Sequence, residues 1–120
     1  MSKIVQAVNT IILNQKKITE VTRGRSGTET FFVYDDKYVW SIAESDGEYD
    51  LWFYPNGELS ILAGYEAYEW DEVPMVRYST GELGTREAKA TFAELYSVIK
   101  EKVYGVDDVL NDIIEQDIPF

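Results

Sequence analysis

The 120-residue chain contains no cysteine and no histidine. Without a thiol there is no disulfide and no thiolate, which removes disulfide-stapled scaffolds and thiol redox chemistry. Without an imidazole, Ser-His-Asp triads, Cys-His pairs and the usual zinc sites go as well. Positive charge is also scarce: 11 Lys and Arg stand against 22 Asp and Glu, for a net charge of -11. A field of that sign repels phosphate, so direct nucleic-acid binding is not expected, and it draws in a basic protein surface instead. No apolar run approaches the length of a membrane span. The opening MSKIVQAVNTIILNQ runs into Lys16 and Lys17 without a small-residue cleavage signature, so it does not read as a signal peptide. Cytoplasmic residence and no membrane partner are the expectation.

Cofactor motifs are missing too. There is no G-x-G-x-x-G, and Gly24-Arg25-Ser26-Gly27-Thr28 lacks the lysine and the length of a P-loop. The Ser45-Asp46-Gly47 turn is no calcium loop, because Ile42 stands where that pattern needs an acid. A carboxylate-only Mg²⁺ or Ca²⁺ site would require Asp46, Glu48 and Asp50 to converge. No metal or cofactor is predicted, and the chain is read as non-enzymatic.

What is present is a large apolar fraction, 45%, of which aromatics make up an unusual part at 14% of the chain. That is enough for one core and one domain spanning residues 1–120. Ile4, Val5, Val8, Ile11 and Ile12 recur at helical spacing, predicting a helix over Ser2 to Lys16. Five alternating runs follow, predicting strands at Ile18–Arg23, Thr28–Tyr34, Tyr38–Glu44, Tyr49–Tyr54 and Glu58–Ala63, with turns at Asp35-Asp36-Lys37, Ser45-Asp46-Gly47 and Pro55-Asn56-Gly57. From Gly64 to Gly84 the pattern is irregular, with a short edge strand at Met75–Tyr78. Thr85 caps a long helix from Arg86 to Tyr104, Gly105 stops it, and Asp107 opens a final short helix whose Val109, Leu110, Ile113 and Ile114 are expected to face inward. The predicted fold is α+β: an N-terminal helix, an antiparallel meander of about five strands, and two C-terminal helices.

The acid is concentrated. Residues 1–30 carry five bases against two acids, residues 31–84 twelve acids against two bases, and residues 85–120 eight acids against four bases. Two arrays stand out. Asp108, Asp112 and Glu115 are spaced i, i+4, i+7 on the last helix. Tyr65, Glu66, Tyr68, Glu69, Trp70, Asp71 and Glu72 interleave carboxylates with rigid aromatics of the kind enriched at interface hot spots. A solvated helix face and a set of core aromatics are the plainer readings of the two. The strands are also apolar on both faces, with Trp52 and Tyr54 opposite Leu51 and Phe53. If the helices all lie on one side, the other offers an aromatic surface to a partner or a homodimer mate.

These features point to a small acidic module that occupies a basic, nucleic-acid-binding site on another protein, its carboxylates standing in for phosphates. In size, charge and element order, though in no motif, the chain resembles small inhibitors of nucleic-acid enzymes such as phage anti-restriction and anti-CRISPR proteins. A toxin-immunity protein or secretion chaperone, binding through an aromatic sheet face, is the second reading. A small enzyme working through carboxylates alone is the third.

Overall fold

The computed structural model describes residues 2–25, 27–62 and 73–116, the side chain of Ser60 excepted. Helix α1 covers Lys3–Leu13, and the Ser2 hydroxyl accepts the Val5 amide at 3.3 Å as its cap. It stops short of Lys16 because Asn14 ends it: its amide bonds back to Thr10 and Ile11, and its side chain donates to the Thr10 carbonyl at 2.9 Å. Asparagine competes for helix backbone groups in this way. A single 3₁₀ turn, Gln15–Lys17, leads into the sheet.

The sheet has five antiparallel strands in sequence order: β1 Ile18–Arg23, β2 Thr30–Tyr34, β3 Tyr38–Ser45, β4 Glu48–Tyr54 and β5 Val76–Ser79. The turns explain the register. Asp46 and Gly47 both take positive φ between the paired Ser45 and Glu48, the two-residue hairpin that an Asp-Gly pair favours. Asp35 and Asp36 do the same after Tyr34, at φ of 56° and 58°. Two left-handed aspartates are a strained choice, and Lys37 closes the turn onto the Tyr34 carbonyl.

The order of the meander holds, but its last strand is not Glu58–Ala63. After Pro55-Asn56-Gly57 the chain leaves the sheet and forms a short helix, α2, at Leu59–Leu62. Leu59 and Leu62 are three apart, so helical winding puts both on one side, against Phe31, Val33, Val39 and Tyr54. A strand would have separated them. The edge position is taken by β5, within one residue of the predicted edge strand at Met75–Tyr78, and it pairs Val76–Ser79 with Phe53–Asp50.

A four-residue helix, α3 Thr80–Leu83, precedes the long α4, Arg86–Tyr104. The Thr85 hydroxyl accepts the Ala88 amide at 3.1 Å, and Gly105 in the left-handed conformation closes the other end, both as the sequence predicts. The last helix, α5, spans Val106–Glu115.

Two cores result. On one face of the sheet, Phe32, Ile42 and Leu51 meet Ile4, Val5, Val8 and Ile11 of α1 and Ala88, Phe92, Leu95 and Ile99 of α4. Burying each of the large members contributes about 1.5–3 kcal/mol. On the other face, α2 together with Val73 and Met75 covers Phe31, Val33, Val39 and Tyr54. Both faces of the sheet are therefore packed, which is why its strands are apolar on both sides.

Candidate functional site

Helix α5 is where the structure departs most from expectation. Val109, Leu110, Ile113 and Ile114 do not face inward; they are 54%, 51%, 56% and 66% exposed, and no residue of α5 is buried. Gly105 causes this. Its left-handed φ of 63° breaks α4 and sends the chain off in a new direction, and the main contacts of α5 are with α4.

The stripe has a definite electrostatic setting. At about 100° per residue, Val106, Val109, Leu110, Ile113 and Ile114 share one side of α5. Asp107 and Asp112 border that side, while Asp108 and Glu115 lie behind it. No Lys or Arg follows Lys102 in the chain. Acids at the C-terminal end oppose the helix dipole, and Gly105 supplies no side-chain cap at the start. A ten-residue helix so built is marginal alone. A partner offering apolar contact to the stripe and positive charge near the C-terminal acids would stabilise the helix.

Of the residues singled out from sequence, Asp108, Asp112 and Glu115 lie together on exposed α5. Tyr65, Glu66, Tyr68, Glu69, Trp70, Asp71 and Glu72 lie outside the described residues. Trp52 is half-buried against the second core. Tyr54 is 2% exposed and offers no surface, because its ring packs on Phe31 at 5.7 Å between centroids.

The Tyr54 hydroxyl instead joins a polar chain beneath the sheet. It lies 2.7 Å from Ser41 Oγ, which donates to Glu29 Oε2 at 3.3 Å, so Tyr54 donates to Ser41. Burial pushes the Glu29 carboxyl above its ordinary range, and the Ser41 hydroxyl opposes that only in part. Burial likewise raises the Tyr54 phenol, against the Ser41 bond and with the Glu29 charge. Ser41 itself is fully buried. The network braces the packing of β2, β3 and β4.

The acids of the β3–β4 turn are engaged elsewhere. Arg77 donates twice to Asp50 Oδ1, at 3.1 and 2.8 Å. Glu48 accepts from the Thr80 hydroxyl and lies 3.5 Å from Lys89 Nζ; the Thr80 bond foremost holds its carboxyl below the ordinary value. Asp46, Glu48 and Asp50 thus do not converge, and among the described residues no cluster of three or more ligating side chains exists. Arg23 stacks on the Tyr104 ring, 5.4 Å from its centroid, and donates to the Tyr104 hydroxyl.

One further feature escaped the sequence reading. Between Ala7, Thr10 and Ile11 of α1 and the end of the sheet lies an open groove of about 360 Å³, floored by Tyr34, Tyr38, Trp40, Phe53 and Tyr78. The register places Tyr34 opposite Tyr38 and Trp40 opposite Phe53, all on the helix-covered face. Helix α1 is too short to cover them.

The fold defines an antiparallel α+β protein with a projecting acidic helix. Comparison of the chain with protein-family models, with curated proteins and with solved structures found no match. No helix among the described residues is long and apolar enough to cross a membrane.

Proposed function

We propose that the protein is a non-enzymatic binding module that presents α5 to an apolar groove rimmed by Lys and Arg on another protein, inhibiting it by occupying a nucleic-acid-binding site. The observation that carries this reading is the exposed stripe Val109, Leu110, Ile113 and Ile114, flanked on α5 by Asp107 and Asp112. Exposed apolar patches of this kind mark interaction surfaces. The net charge of -11 selects a basic partner and speeds the encounter. Asp107 and Asp112, at the borders of the stripe, then play the part of phosphates in the partner's site.

The test is capture from lysate at about 50 mM and about 500 mM salt, where the screening length falls from roughly 14 to 4 Å. A nucleic-acid-binding protein held at low salt, lost at high salt and displaced by DNA or RNA supports the reading. Retention at high salt would overturn the phosphate-mimic mechanism. It would favour the toxin-immunity or chaperone reading, which the same apolar stripe supports. Concentration-dependent doubling of the mass in sedimentation, abolished by Leu110→Ser, would instead assign the stripe to a homodimer.

A further inference from the structure

The groove beneath α1 is independent of α5 and has a chemistry of its own. Five aromatic rings line it, from Tyr34, Tyr38, Trp40, Phe53 and Tyr78, and among the described residues no charged side chain is in the lining. The rings form a connected surface: Trp40 and Phe53 lie 4.9 Å apart and tilted by 51°, Tyr38 and Phe53 6.4 Å apart and tilted by 52°.

Two observations fix the sign of the occupant. Aromatic faces carry partial negative charge and attract cations. The turn joining Tyr34 to Tyr38 carries Asp35 and Asp36, both exposed, on a chain of net charge -11. A second copy of this acidic chain, or its α5, is the wrong charge for such a place.

The lack of carboxylate or amide side chains then narrows the cation. Lys and Arg bring three and five N–H donors that must be satisfied on burial, and the lining side chains offer them only the hydroxyls of Tyr34, Tyr38, Tyr78 and Thr10. The Thr10 hydroxyl donates to the Gln6 carbonyl at 3.0 Å. A quaternary ammonium has no donor to satisfy, spreads its charge over methyl groups, and suits a lining of rings. The volume, about 360 Å³, is in the range of small-molecule sites. We infer that the groove between α1 and the Tyr38–Trp40–Phe53 surface is a binding site for a small molecule carrying a trimethylammonium group.

The test uses choline and its uncharged isostere 3,3-dimethylbutanol on the whole protein at constant ionic strength, reading the Trp40 indole resonance by NMR. Trp40 Nε1 is buried without a hydrogen-bond partner among the described residues, and Trp40→Phe identifies its peak. The expected result is a saturable shift with choline, with 3,3-dimethylbutanol binding roughly 3- to 30-fold more weakly, the span of a cation–π contact. Tyr38→Ala, at a residue already 41% exposed, should weaken choline while leaving the rest of the spectrum in place. Equal binding of the two compounds would overturn the inference and leave a merely apolar groove. So would the absence of any saturable shift by about 50 mM choline. A trimethyl-lysine peptide that binds much more tightly than choline, with unmethylated lysine inert, would overturn the small-molecule assignment in favour of a methylated protein.

Discussion

Replacing Ile113 by Ser asks whether α5 is a presented surface or a piece of core. The two residues have nearly equal helix propensity, so the substitution isolates burial. Full burial of an isoleucine is worth about 1.5–3 kcal/mol. Ile113 is 56% exposed, so less than half of that is at stake, about 1 kcal/mol. For a domain of this size that is a fall in Tm of about 4 °C. Phe92→Ala is the internal standard: the ring is fully buried between α1 and the sheet, and its loss should cost about 3–5 kcal/mol. Urea denaturation of both variants at two protein concentrations gives the comparison. A loss of about 3 kcal/mol or more for Ile113→Ser, independent of concentration, would refute the reasoning, since it would mean that α5 packs into its own chain. A loss that grows with concentration would point to a second copy.

Three other substitutions test the supporting architecture. In Glu29, burial raises the folded carboxyl above 4.5. The unfolded form therefore ionises first, and stability should fall as pH rises through the folded value. Glu29→Gln should remove that slope and leave the variant the more stable at neutral pH; a stability difference that is flat with pH in urea titrations would contradict it. At Thr80, replacement by Val deletes the acceptor of the Tyr49 amide, a 2.9 Å bond, at a cost of about 1–3 kcal/mol. Glu48 has the opposite sign to Glu29: its stabilising effect is present above 4.5 and lost as pH falls through its lowered value. Thr80→Val should therefore also move the Glu48 titration upward by NMR, and an unmoved midpoint would argue against the Thr80 bond. Gly57→Ala would place a methyl 2.8 Å from both Leu62 Cδ1 and Tyr54 Cβ, so it should dislodge α2 and cost about 1–3 kcal/mol in thermal unfolding. No change there would mean that α2 is not held against the sheet.

How much of this was legible in the sequence varies with the physics of each element. The first four strands were readable because Asp-Gly and Asp-Asp turns sit at hairpin positions and fix the register locally. Helix α4 announced both its ends through Thr85 and Gly105. The fifth strand was misplaced because Glu58-Leu59-Ser60-Ile61-Leu62 alternates polar with apolar at first and also puts Leu59 and Leu62 three apart. Packing against Phe31 and Val33 decides between the two periods, and a local pattern does not contain that contact. Helix α5 shows the same limit from the other side. Its amphipathic spacing was plain, as were Asp108, Asp112 and Glu115 on it. Periodicity says that a helix has an apolar side, not what covers it, and the backbone at Gly105 turns that side away from the core. The groove was hidden for a related reason: Tyr34, Tyr38, Trp40, Phe53 and Tyr78 come from four strands and meet only once the sheet has formed.

The most direct measurement is low-salt capture by three forms of the protein: wild type, Leu110→Ser/Ile113→Ser, and Asp107→Lys/Asp112→Lys, each competed with DNA and RNA. Both double variants keep the fold, since every altered residue is exposed. If α5 is the docking element, wild type retains a nucleic-acid-binding partner that the competitor displaces, and each variant loses it. Undiminished capture by both variants would show that another surface makes the contact, and the role given to α5 would fall.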